Sequence, residues 1–166
     1  VAKNGGVEEY ETLLNIYKNP SNSDEKLAAL RSLGRFNDAA LIERTIGFLL
    51  DGTVLKQDIY IPMVGLRSHQ EGIEALWKWA QSNWEEIVTR LQPGSPVLGH
   101  VLTVATSGFT STEAVDEITA FFADKDTRGY DQSLAQALDS IKTKAQWVER
   151  DHTVVSEYLK QHGYLN

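Results

Sequence analysis

Apolar residues recur three and four positions apart from the first segment of this chain to the last, and nowhere do apolar and polar residues alternate long enough to make a strand. That spacing allows helices and little else, so the chain reads as all-α. Tyr10, Leu13, Leu14 and Tyr17 share one face of a first helix. It stops at Asn19-Pro20, because a residue before proline is pushed out of the helical region. Ser23 is the expected cap of a second helix, with Asp24 and Glu25 placing negative charge in its first turn and Leu27 and Leu30 facing inward to an end near Gly34. Asp38 starts a third, with Ile42, Thr45, Ile46 and Leu49 as its stripe and Asp51-Gly52 as its close.

A shorter pair is expected around residues 58–68 and 71–82, followed by 84–91, and Trp77, Ala80, Trp84, Ile87, Val88 and Leu91 keep a three-four spacing across Ser82-Asn83, so the apolar stripe continues there even if the helix is interrupted. Pro93-Gly94 ends that stretch. The next helix, over about 95–107, buries Leu98, Val101, Leu102 and Ala105. Gly108 terminates it, and Ser111 or Thr112 opens another lined by Val115, Ile118 and Phe122. Beyond a polar loop at 123–131, Leu134, Leu138, Ile141, Ala145 and Val148 mark the longest helix, and Asp151 is positioned to cap a final one carrying Val154, Val155 and Tyr158. About ten short helices result, in pairs roughly 30 to 35 residues apart, the period of a helical solenoid. The expected architecture is a superhelix of antiparallel pairs of HEAT or armadillo type, since a four-helix bundle needs fewer and longer helices.

With 166 residues, 42% of them hydrophobic, the chain holds enough apolar material for one core, and a single domain over 1–166 is expected. A net charge of −7 opposes nucleic-acid binding, which depends on neutralising phosphates with Lys and Arg. No apolar run approaches the roughly 20 residues that span a bilayer, so no membrane partner is expected. The chain has no cysteine, which removes disulfides and thiolate metal sites and suits a reducing cytoplasm.

Three longer segments carry a resemblance. ALWKWAQSNWEEIVTRL (75–91), GFTSTEAVDEITAFF (108–122) and SLAQALDSIKTKAQWVERDHTVVSEYL (133–159) are similar to the tail of the M1 family of zinc metallopeptidases. Residues 24–72 resemble in particular its fungal cytosolic alanine/arginine members, near the puromycin-sensitive ones. The resemblance implies the C-terminal helical domain of a larger enzyme, a curved superhelix covering a catalytic domain of the same polypeptide. That enzyme would remove single amino acids from peptide N-termini, using zinc to polarise the scissile carbonyl and activate water while a glutamate handles the proton. The start at Val1 and the ending YLN fit a segment taken from a longer chain, and VAKNGGVEEYE is a poor solenoid cap.

None of that chemistry is written in this segment. Zinc peptidases of the family place two histidines one helical turn apart, so that both reach one metal. Here the residues four after His69, His100, His152 and His162 are Ile73, Val104, Ser156 and Asn166. A cysteine nucleophile, a G-x-S-x-G turn and a glycine-rich phosphate loop are all missing from the sequence. The carboxylates Glu85-Glu86 and Asp124/Asp126 read as solvated surface, so no catalytic residue, metal ligand or cofactor of its own is assigned.

Candidates for contact with substrate are therefore few. His100 is the first, a basic group that could project toward a substrate chamber and meet the carboxylate or backbone of a bound peptide; its plain alternative is a surface histidine bonded to a nearby carbonyl. Tyr60, Arg67 and Arg90 are weaker candidates of the same kind. Trp77, Trp84 and Trp147 fall on apolar stripes and are expected in the core, whereas Trp79 lies off the stripe and is expected at a surface or interface. A free-standing helical-repeat module that binds protein partners stays open as the alternative, and an exposed apolar patch would separate a domain of a larger enzyme from it. A segment with its own peptidase activity would require a metal site that the sequence does not display.

Overall fold

The computed structural model describes residues 2–164. The expectation drawn from Val1 and from the final Leu165-Asn166 falls outside them. Eight α-helices carry the fold: α1 Val7–Lys18, α2 Ser23–Leu33, α3 Ala39–Gly47, α4 Tyr60–Leu66, α5 Gln70–Leu91, α6 Pro96–Thr106, α7 Thr112–Phe122 and α8 Asp131–Gln161. Short 3-10 turns at Ala2–Asn4 and Lys56–Asp58 complete the order, and no strand occurs among the described residues.

Polar side chains at the breaks cap five of these helices, α2, α3, α5, α6 and α7, where the N–H groups of a first turn need acceptors. The Asp38 carboxylate accepts from the N–H groups of Ala40 and Leu41 at 3.0 and 3.1 Å, and the Ser111 hydroxyl accepts from Ala114 N at 3.2 Å. At α2 the cap is Asn22, which accepts from Glu25 N at 2.8 Å, while Ser23 is the first helical residue and not the cap that was expected. The turn glycines Gly52, Gly94 and Gly129 take φ of 94°, 85° and 92°, a left-handed conformation that a side chain rarely adopts.

The helices stack in two rows. α2, α4, α6 and α8 touch in succession, and α3 lies against α5 in the other row. α1 joins that second row through the Tyr10–Thr45 hydrogen bond, and α7 through Trp77 and Trp84 of α5. Contacts along a row keep the same order at both ends. Tyr60 meets His100 and Arg67 meets Ser107; Gly99 meets Ser133 and Ser107 meets Lys144. α4, α6 and α8 are therefore parallel neighbours, each built from an antiparallel return through the other row, the connectivity expected of stacked helix pairs.

Between the rows lies one continuous core running from Tyr10 to Ile141. Its far half is aromatic: Trp84 stands edge-on to Phe122 at 5.0 Å and to Tyr130 at 5.5 Å, and Trp77 to Phe121 at 5.4 Å. Edge-to-face pairs of this sort add about 0.5–1.5 kcal/mol each beyond area burial.

Several expectations are corrected. The stripe through Ser82-Asn83 belongs to one unbroken helix, α5, and Asn83 satisfies its amide on the Trp79 carbonyl at 2.8 Å without breaking it. Asp151 is interior to α8 and starts nothing. With those two joins, eight helices replace about ten. Trp79 is buried, because α5 lies between its own row and the other and has apolar neighbours on more than one side. Trp147, expected in the core, is 63% exposed, and Val154, Val155 and Tyr158 are exposed with it. α8 is longer than the stack it packs on: Ala137, Ile141 and Ala145 are buried, and beyond them no described helix reaches its apolar side.

Candidate functional site

Three of the four candidate residues share one surface. The His100 ring in α6 meets the Tyr60 ring at the start of α4 edge to face, with centroids 5.3 Å apart. Seven residues further along each helix, Arg67 donates to the Ser107 hydroxyl at 2.6 Å. Seven residues are two turns, so the two contacts lie on one face about 10 Å apart. His100 is exposed and Tyr60 half-buried, which leaves an aromatic and basic strip open to solvent along the α4/α6 seam.

Arg90 stands apart. It sits in the last turn of α5, in the other row, where its guanidinium donates to the Leu50 carbonyl and lies 4.0 Å from Glu86. The bond to Leu50 closes the turn after α3, a structural task.

Beside His100 a cleft of about 660 Å³ opens between α6 and the first turns of α8, lined by His100, Thr103, Asp131, Gln132, Ser133 and Gln136. Its floor is held where Gly94 N donates to the Gly129 carbonyl at 3.1 Å. Gly99 lets α8 come close, since a Cβ there would stand 2.6 Å from the Ser133 hydroxyl and would force that side chain to turn away. Sequence reasoning reached His100 but not Gln132 or Gln136. Two glutamines on a polar helix face give no signal until a second helix is placed opposite them.

Three other ionisable sites have structural uses. His69, a near miss for a zinc motif in composition only, caps α5: its Nδ1 accepts from Gly72 N at 3.0 Å. Asp126 pairs with Arg128, which, together with the Arg128 N–H, holds its carboxyl down to about 2. Glu11 on α1 pairs with Arg44 on α3, which lowers the Glu11 carboxyl and raises the guanidinium. Among the described residues no group of three or more His, Asp or Glu is gathered closely enough to hold a metal ion, so the side chains present do not fit a zinc centre. No described helix is long and apolar enough to cross a membrane.

Comparison with known proteins shows the family. Residues 1–143 match the family model described as the ERAP1-like C-terminal domain. The chain is 62% identical over 164 residues to "Aminopeptidase 2, mitochondrial" of Saccharomyces cerevisiae, covering 99% of this chain and 17% of that protein. It is 59% identical over 164 residues to the "Alanine/arginine aminopeptidase" of the same yeast, covering 99% of this chain and 19% of that protein. Against "Aminopeptidase M1" of Arabidopsis thaliana identity is 31% over 140 residues, covering 84% of this chain and 16% of that protein. The chain thus spans less than a fifth of the curated relatives it matches, and the stretch shared with them is an all-helical unit whose described side chains include no metal-binding group. It belongs to the ERAP1-like C-terminal domain family, the helical domain of M1-type aminopeptidases.

Proposed function

We propose that this domain forms a wall over the catalytic cleft of a zinc-dependent M1 aminopeptidase, admitting peptides with free, flexible ends and positioning them while another part of the enzyme cuts. The zinc and the groups that act with it belong to that other part. Stacked helix pairs supply a curved, extended surface suited to holding a peptide remote from the scissile bond, where binding energy aligns the reacting end. His100, Tyr60 and Arg67 line that surface in this reading, and Arg90 supports the stack from behind.

One observation carries the proposal: the far half of α8 presents Trp147, Val148, Val154, Val155 and Tyr158 to solvent, at 48–66% exposure, on a helix with no described partner there. A contiguous apolar face of this kind marks an interface. A complete, free-standing solenoid would end instead in a polar cap. The face is the proposed seat of the catalytic part of the same polypeptide.

The test is made in a full-length aminopeptidase carrying this domain, with Val154→Asp and Val155→Asp together. The expected result is a lower melting temperature and a loss of at least about tenfold in kcat/KM toward long peptides, with the chain alone inactive toward aminoacyl substrates whether or not zinc is added. An unchanged full-length enzyme, or stoichiometric zinc binding and turnover by the 166-residue chain, would overturn it. We place the enzyme in the cytoplasm, following the resemblance to the fungal cytosolic members; cell fractionation decides between that and the compartment in the yeast relative's name.

A further inference from the structure

We infer that the cleft between α6 and the start of α8 is a subsite for the main chain of an extended peptide, indifferent to its side chains. The choice of a peptide rests on the function proposed above; the chemistry of the cleft does not. Its lining is polar and carries a single carboxylate, Asp131, with no Lys or Arg. A phosphate or carboxylate ligand would meet that carboxylate, and an apolar ligand would strand the surrounding amides and hydroxyls without partners. Gln132, Gln136 and Thr103 each offer both a donor and an acceptor, the pairing that a peptide unit requires in return.

Spacing matches as well. Gln132 and Gln136 lie one turn apart on the same face of α8, about 6 Å along the axis. Alternate residues of an extended chain, whose N–H and C=O groups point to the same edge, repeat every ~6.6 Å. Two glutamines can therefore serve two successive peptide groups on one edge, with His100 and Thr103 facing from α6. The walls are set before any ligand arrives: the bond from Gly94 to Gly129 ties the two loops, and Gly99 lets Ser133 approach so that α6 and α8 stay close. The His100 ring is steadied from the other side by Tyr60.

The test is a titration of the 15N-labelled 166-residue chain with an acetylated, amidated octapeptide of alanine and serine, followed by two-dimensional NMR. Shifts are expected at the amides of residues 97–103 and 129–136. Gln136→Ala, an exposed position that leaves the fold intact, is expected to weaken binding about two- to tenfold, the worth of one net hydrogen bond. The same peptide N-methylated at alternate residues is expected to lose binding to a similar degree. Equal binding by the N-methylated peptide, shifts confined to other surfaces, or no shifts at millimolar peptide would each overturn the inference. Binding here combined with a full-length enzyme indifferent to changes in α8 would sink the enclosing role and leave this subsite standing.

Discussion

Gly34 and Gly65 meet backbone against backbone: a Cβ on Gly34 would lie 2.0 Å from the Pro62 carbonyl oxygen, and one on Gly65 would lie 2.5 Å from that of Arg31. This contact brings the end of α2 hard against α4 and so sets the position of Tyr60 and Arg67 in the row. Neither obstacle is a flexible side-chain tip, so a methyl group cannot be absorbed without moving a helix.

Gly65→Ala is accordingly expected to destabilise the domain. Alanine improves helix propensity by about 1 kcal/mol, but overpacking against fixed backbone costs roughly 1–3 kcal/mol or more. Gly47→Ala is the control, since a Cβ there meets nothing within 4 Å. Urea unfolding is expected to place Gly65→Ala below the parent and Gly47→Ala level with it or above. Equal stability of the two variants would remove the backbone contact from the account.

The Tyr10 hydroxyl and Thr45 Oγ1 are 2.8 Å apart in a fully buried position, and Thr45 Oγ1 in turn donates toward the carbonyls of Leu41 and Leu33 at 2.9 and 3.2 Å. Thr45 has one hydroxyl proton, so Tyr10 is the donor of the pair. Burial pushes the Tyr10 phenol up and keeps it protonated. Thr45→Val strands that buried donor and is expected to cost about 1–3 kcal/mol, more than the roughly 1 kcal/mol of Tyr10→Phe. The double variant is expected to cost clearly less than the two single losses together, as read from a denaturation cycle. Simple additivity would show that the bond does not couple the helices.

Arg128 and its N–H lower the Asp126 carboxyl from an ordinary 3.8 to about 2. A carboxyl depressed in the folded state stabilises above its unfolded value, and that contribution disappears as pH falls through about 2. Both side chains are exposed, so the effect belongs to the order of the loop at 123–131, where the Tyr130 hydroxyl donates to the Asp126 carbonyl at 3.1 Å. A carbon-detected NMR titration is expected to find the Asp126 midpoint near 2, and Arg128→Ala is expected to return it toward the ordinary range. High salt should narrow the difference. An unshifted Asp126 in the parent chain would contradict the pairing.

Most of the helix starts and stops could be read without coordinates, because caps and breakers act within four or five residues. Asp38, Ser111, Gly34 and Pro93-Gly94 all function where local chemistry puts them. The misread positions are those where a distant helix decides. Asn83 has a poor helix propensity, yet α5 runs through it because Trp77, Ala80, Trp84 and Ile87 are held on both sides of it. Asp151 is a good cap residue, yet no turn forms there to use it.

His100, Tyr60 and Arg67 could each be singled out as residues, but their meeting on one surface required α4 and α6 to lie parallel. The glutamines of the cleft had no local signature at all. Periodicity and turn chemistry, which are short-range, determined by themselves that this chain is a run of helices with apolar inner faces, and its long matching segments marked the family. Only the stacking decided which apolar stripes are covered. Burial is a property of two surfaces at once, so Trp79 finds a partner in the core and Trp147 at the open end of α8 does not.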